Sequence, residues 1–366
     1  MRVDDGEAGP PGDGRTVGTR LGVMPIPLPS GPRLRRRPEN PIISPRPANA
    51  WESFATFNPA AICLNGRVHI LYRAMGTLGI SVLGYASSTD GIHIDERSDE
   101  PAYVPRESFE MTPAPPREHA HPNPYARRYM SGGGCGGCED PRLTRLGDTL
   151  YMTYVAFNGF DPPRVALTSI AADDFLARRW RWQRPVLVSR PGIVDKNAVV
   201  FPERIAGRYI FFHRVFPEML ISQRESLEFR EGEYLTGEFA IAPRPEYWDS
   251  RKVGAGPPPI KTEDGWLLIY HAVDDRHDSQ YKVGAMLLDL EEPRKVLHRS
   301  PAPILEPETP AENEGHKAGV VYPCGAVVIG DELFLYYGGA DKVVCAATYR
   351  LSEFIAELKQ AASCAC

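Results

Sequence analysis

One pattern recurs five times along the 366-residue chain, at intervals of roughly 55–80 residues. It runs from a polar or Gly/Pro opener, through a two-residue turn, to an alternating apolar strand. The copies read FNPAAICLNGRVHILYRA from Phe57, CEDPRLTRLGDTLYMTYVA from Cys138 and DKNAVVFPERIAGRYIFFHR from Asp195. They continue as GAGPPPIKTEDGWLLIYHA from Gly254 and VYPCGAVVIGDELFLYYGGAD from Val321. A short all-β unit cannot bury both of its faces alone, so a regular series of such units implies neighbours that stack. The expected fold class is all-β, a five-bladed β-propeller whose openers gather at one end of a central axis.

The turns carry the pattern's punctuation: Asn65-Gly66, Gly147-Asp148, Ala206-Gly207, Asp264-Gly265 and Gly330-Asp331. Further hairpins begin at Gly79, Arg164 and Tyr281, and outer edges read PAYVP from Pro101, PVLVS from Pro185 and PILEP from Pro303. The fifth repeat lacks such an edge and ends in SEFIAELKQAAS from Ser352, a short C-terminal helix. The matching orphan, NPIIS at Asn40–Ser44, lies near the start, so an N-terminal strand is expected to close the ring. Residues 1–33 read as a disordered leader, 34–355 as the propeller and 356–366 as a tail. The basic cluster Arg33, Arg35, Arg36 and Arg37 reads as a solvated entry to the first strand, with anion binding as its alternative. The polar, glycine-ended stretch at 106–134 is expected to be a long loop over one mouth. Its Glu110, Arg117, His119 and His121 are candidates for contact with a substrate, or simply solvated.

Composition removes several function classes. With 42 basic against 47 acidic side chains, nothing marks a nucleic-acid surface. No apolar run is long enough to span a bilayer, and the first residues lack a secretory core, so a cytoplasmic location is expected. The seven cysteines include Cys135 and Cys138 in a CxxC, and Cys364 and Cys366 in a CxC. A zinc site is conceivable there, but free thiols are the default and no metal is expected.

Chemistry is sought at openers and strand ends. Asp140, between glycines and a proline, is either a constrained acid or an Asx-turn residue, and Glu139 with Arg142 reads as an ion pair. Lys196 opens the third repeat, Arg214 ends that strand, Lys252 precedes the fourth opener and His271 ends the fourth strand, each alone readable as a solvated surface group. Cations converging there would repel unless an anion lay between them. A carboxylate facing such a pocket suits phosphorolysis of a glycoside: an acid for the leaving oxygen and a cradle for phosphate.

The strings FNPAA with LYRA, GGCEDPR, DKNAVVFPE with FFHR, KVGAGPPPIKT with IYHAVDD, and VYPCGAVV with YYGGAD closely resemble glycoside hydrolase family 130. That resemblance, over about residues 35–350, implies a five-bladed propeller and an inverting β-mannoside phosphorylase, or in some members a β-mannosidase. It implies Asp140 as general acid, its proton reaching the glycosidic oxygen through the 3-hydroxyl of the bound mannose. Asn58, Arg73, Lys252 and Asp341 would bind sugar, with Lys252 between sugar and phosphate. Lys196, Arg214, His271 and Tyr281 would bind phosphate, the co-substrate, with no other cofactor. Position 196 is Lys where some members carry Arg, which keeps the charge and loses the bidentate fork.

The expected reaction is phosphorolysis of β-1,2- or β-1,4-linked manno-oligosaccharides to α-mannose 1-phosphate. Two alternatives stand beside it: a β-mannoside hydrolase on the same scaffold and a non-catalytic carbohydrate-binding propeller. A hydrolase needs a second carboxylate to activate water, and Glu203 is the nearest within a motif. Manno-oligosaccharide and phosphate are the expected partners, and a homo-oligomer is left open.

Overall fold

The computed structural model describes residues 31–111 and 134–363. The leader up to residue 30, most of the 106–134 loop with Arg117, His119 and His121, and Cys364 and Cys366 lie outside the described residues. The fold is all-β with few helices, and its strands form five antiparallel meanders. The first runs through Ala55–Leu64, Arg67–Met75, Ile80–Ser88 and the short Glu96–Arg97. The second comprises Gly136–Leu146, Thr149–Phe157, Arg164–Ala171 and Val186–Leu187. Two parallel pairs, Ile80 with Gly136 and Ser81 with Gly137, merge these two into one sheet. The third uses Asp195–Val200, Tyr209–Val215, Glu218–Arg224 and Phe239–Ile241. The fourth uses Lys252–Ala255, Ile260–Thr262, Gly265–Val273, Lys282–Leu288 and Val296–Arg299, and the fifth Val321–Ile329, Glu332–Gly339 and Val343–Arg350.

The fifth repeat takes its outer strand from the N-terminal segment, through a slightly different pairing from the expected one. Arg35–Arg36 pairs with Thr348 and Ala347, whereas Ile43 of the NPIIS string makes a single bridge to Val344. The same division holds elsewhere. Glu96–Arg97 pairs before Tyr103 bridges to Leu83, and Val296–Arg299 pairs before Leu305 bridges to Val283. Arg36 is therefore not a solvated entry. It pairs with Glu308 at 2.8 Å and with buried Glu312 at 2.8 Å, while Arg33 pairs with Glu306 at 2.5 Å.

Hydrophobic burial links the repeats in cyclic order. Leu71 and Leu83 pack with Leu143 and Met152 between the first and second repeats. Leu167 and Val165 pack with Val200 and Phe211 between the second and third, and Phe212 with Trp266 and Leu268 between the third and fourth. Leu267 and Ile269 pack with Leu333 and Leu335 between the fourth and fifth. Val68 and Ile70 pack with Phe334 and Tyr336 between the first and fifth. The helix Leu351–Ser363 adds Phe354, Ile355 and Leu358 to the core shared by the last two repeats.

A buried latch recurs as well. The second long strand of each repeat carries Tyr72, Tyr154, His213, Tyr270 or Tyr337 at one equivalent position, and each meets a buried carboxylate. Tyr72 donates to Glu52 at 2.8 Å, Tyr154 to Glu110 at 2.5 Å, Tyr270 to Asp249 at 2.8 Å and Tyr337 to Glu312 at 2.8 Å. In the third repeat His213 Nδ1 lies 2.8 Å from Asp195. Arginines of the outer strands complete three of the latches: Arg97 on Glu52, Arg299 on Asp249 and Arg36 on Glu312. Each latch fixes the strand whose next residue turns toward the openers.

One turn differs from expectation. Thr262 pairs with Gly265, so the two-residue loop of the fourth repeat is Glu263-Asp264 and Gly265 opens the next strand.

Candidate active site

Four of the five openers are β-bulges, while that of the fourth repeat pairs without a shift. Pairing shifts between Phe57 and Ala60, between Glu139 and Arg142, between Lys196 and Val199, and between Pro323 and Gly325, each against one residue fewer on the partner strand. Asn58, Asp140 and Asn197 occupy the same place in three of these bulges, with φ of 47°, 53° and 58°. Among non-glycine residues Asn and Asp tolerate this left-handed region best, and a bulge re-aims a side chain out of the pleat. Opposite the openers, Arg73 pairs with Phe57, Arg214 with Lys196, His271 with Gly254 and Gly338 with Tyr322. The repeat thus delivers an opener residue and a strand-end residue to the same region from successive meanders.

Two glycines make room. A Cβ on Gly338 would lie 2.1 Å from Asn58 Oδ1, and one on Gly254 would lie 2.7 Å from the His271 ring.

Asp140 is buried and accepts from Asn58 Nδ2 at 2.8 Å and from Arg73 at 3.2 Å. Burial alone would raise its carboxyl, but Arg73, the Asn58 amide, Arg142 and Lys196 outweigh that and hold it below the usual range. Glu139 pairs with Arg73 at 2.9 Å and with Lys196 at 3.7 Å. The expected ion pair with Arg142 is replaced, because that guanidinium donates to the carbonyls of Gly256, Asp140 and Ala255 at 2.8, 2.8 and 3.2 Å. It braces the bulge from behind. Asp341, also left-handed at φ 50°, is buried, and burial pushes its carboxyl up to about 6. Arg73 and Lys317 offset part of that rise, while Asp140 and Glu139 add to it.

The cationic side is built from other repeats. His271 is fully buried, and neither of its ring nitrogens has a hydrogen-bond partner among the described residues. Burial first, then Arg214, Arg142 and Lys252, pull it well below the usual imidazole range, so it is neutral. Its ring lies 4.5 Å from that of Tyr322, whose hydroxyl accepts from Asn197. Lys252 Nζ donates to the Tyr281 hydroxyl at 2.6 Å. Burial works to raise the Tyr281 phenol, yet Lys252, Lys317 and Arg214 bring it down to about 8.

All nine candidate residues fall into one electrostatically connected set. Asn58, Arg73, Asp140, Lys196 and Asp341 form its acidic side; Arg214, Lys252, His271 and Tyr281 form its cationic side. Asn197 and Tyr322 join them, and superposing the five openers would have found both: Asn197 falls with Asn58 and Asp140 inside the bulge, and Tyr322 falls with Phe57 and Lys196 just before it. Lys317 also belongs to the set but lies outside every strand, where no repeat pattern reaches. Glu110 turns away from solvent, bound by Tyr103 at 2.9 Å and by Tyr154. Glu203 sits at the hairpin end of its repeat, paired with Lys261 at 2.5 Å. Among the described residues no group of three or more His, Cys, Asp or Glu is placed to hold a metal ion, and the cysteines are free thiols. Among those residues no helix is long and apolar enough to cross a membrane.

A family model described as beta-1,4-mannooligosaccharide phosphorylase, that of glycoside hydrolase family 130, matches residues 33–360. A 1,2-beta-oligomannan phosphorylase of Thermoanaerobacter sp. (strain X514) is 37% identical, over 88% of this chain and 98% of its own length. A beta-1,2-mannobiose phosphorylase of the same organism is 35% identical, over 84% of this chain and 94% of its own. Among solved structures, the beta-1,2-mannobiose phosphorylase of Listeria innocua in complex with beta-1,2-mannobiose superposes with a TM-score of 0.69 at 25% identity. That match covers 89% of this chain and 99% of the other.

Proposed function

The chain belongs to glycoside hydrolase family 130, and from that premise we propose that it cleaves β-1,2-linked manno-oligosaccharides with phosphate, giving α-mannose 1-phosphate by inversion. The observation that carries the reading is one buried carboxylate, Asp140, in the same set as Arg214 and Lys252, which have no acidic partner among the described residues. The neutral, unpartnered His271 completes a site with donors and positive charge to offer. Relatives matched over nearly their full length are named for β-1,2 substrates, which favours that linkage over the β-1,4 of the family description. In this reading the five meanders are the blades of a propeller. The cyclic order of their shared cores and the N-terminal outer strand of the fifth repeat support it.

The step needs a phosphate oxygen to bond the anomeric carbon as the glycosidic C–O bond breaks opposite it, with one proton passing to the departing oxygen. Phosphate is already a charged nucleophile, so it requires positioning more than deprotonation. Asp140 supplies the proton through the mannose 3-hydroxyl. Its carboxyl is ionised in the ligand-free site, and a dianion arriving among Lys196, Arg214 and Lys252 offsets the cations that hold it so. Phosphate binding therefore raises the proton affinity of the acid when the acid is needed. Asn58, Arg73 and Asp341 hold the sugar, with Arg73 also keeping Asp140 aimed. Glu203, tied to Lys261, is no water-activating base.

The test is Asp140→Asn, assayed with β-1,2- and β-1,4-mannobiose in phosphate. The wild type should prefer the β-1,2 substrate, and the variant should keep its melting temperature while losing at least ~10²-fold in turnover, as expected for a positioned acid. Near-normal rates in the folded variant would remove Asp140 from the chemistry.

A further inference from the structure

Two lysines flank one phenol. Lys252 Nζ and Lys317 Nζ each lie 4.4 Å from the centroid of the Tyr281 ring. Lys317 arrives from the loop between the short helix Pro310–Asn313 and the strand Val321–Ile329, where its backbone N–H donates to Ala340 O at 3.0 Å. Arg214, from the third repeat, bears on the same phenol. Among the described residues none of these three cations has an ion-pair partner. Three positive charges from three repeats, held beside a neutral phenol and a neutral imidazole, repel one another until an anion enters.

Lys196 adds to the demand. It lacks the bidentate fork of arginine, and its ammonium already stands 3.7 Å from Glu139. A service to Asp341 does not account for Lys317 as well. Arg73 acts on that carboxylate more strongly than Lys317 does, and Lys317 is not within ion-pair distance of it.

We infer that Lys317 is a further phosphate ligand, closing the cationic set of Arg214, Lys252, His271 and Tyr281 from the side of the fifth repeat. This rests on the phosphorolysis reading, and the half-buried position of Lys317 lets its side chain be changed without opening the core.

The experiment compares wild type, Lys317→Met and Lys317→Arg, varying phosphate and β-1,2-mannobiose separately. Lys317→Met should raise KM for phosphate about tenfold, one decade of affinity, while KM for mannobiose moves less than about twofold on the same scale. Lys317→Arg should restore most of the phosphate affinity. An unchanged KM for phosphate, or a change carried by mannobiose instead, overturns the assignment. A second arm measures the rise in melting temperature on adding inorganic phosphate without sugar. That rise should shrink in Lys317→Met, and an equal rise in both proteins overturns the proposal. If the wild type consumes mannobiose without phosphate, the phosphorolysis reading fails by itself, and the melting arm still decides whether Lys317 binds the anion.

Discussion

Tyr281 shows how one residue can set a pH limit. Its phenol titrates at about 8, against an ordinary value near 10, because Lys252, Lys317 and Arg214 stabilise the phenolate against the cost of burial. In the proposed phosphate site, the neutral hydroxyl below that pH leaves the cations free for the anion. Above it the phenolate neutralises the same cations from within. KM for phosphate should therefore climb as pH rises through about 8. Tyr281→Phe should abolish that climb while weakening phosphate binding modestly at neutral pH, and a climb of equal size in the variant would exclude this cause. Gly254 is a sterically determined counterpart. Gly254→Ala would bring a methyl to 2.7 Å from the buried His271 ring, so that variant should lose phosphate affinity together with roughly 1–3 kcal/mol of stability from overpacking. Unchanged phosphate kinetics in Gly254→Ala would show that His271 is not held by that contact.

At the scale of the element, each meander is pinned by its latch. Tyr72 and Tyr270 are fully buried, and each hydroxyl donates to a carboxylate that is itself inaccessible, Glu52 or Asp249. Removing one donor leaves part of a buried acceptor unsatisfied, a cost of roughly 1–3 kcal/mol. Tyr270→Phe should lower the urea midpoint accordingly with an unchanged m-value, while turnover per folded molecule stays within a factor of about two of wild type. An unshifted midpoint would mean that Arg244 and Arg299 alone satisfy Asp249. The latch was only half legible in the sequence. The tyrosines stand at one register position and could be aligned, but their carboxylates come from segments between repeats, at no constant offset. The hairpins and bulge openers were legible because turn chemistry and apolar alternation are local. Lys317 was not, since nothing local distinguishes a loop lysine that tertiary packing brings over a tyrosine ring. The outer strand of the fifth repeat fell between these cases. NPIIS matches its counterparts in shape, yet the ladder itself forms at Arg35–Arg36, whose charged side chains disguise a strand.

For the whole molecule, continuity from the fifth repeat back to the first depends on the segment at 33–44. It supplies the outer pairing of Val343–Arg350, the buried Ile43 and the Arg36 partner of Glu312. Deleting residues 1–44 would expose that strand as an unpaired edge, and the protein should then be recovered as aggregate. Soluble, monodisperse, active protein from that deletion would show that the N-terminal pairing is dispensable. The site draws its residues from all five repeats and from the loop before the fifth, so an intact arrangement is a condition for any turnover. The proposed phosphorolysis makes phosphate, and not water, the nucleophile. The direct measurement is product analysis by NMR after incubation with β-1,2-mannobiose, with and without inorganic phosphate. Turnover confined to the phosphate-containing sample, yielding α-mannose 1-phosphate and mannose in equal amounts, is the expected result; free mannose alone, released at the same rate without phosphate, would contradict it.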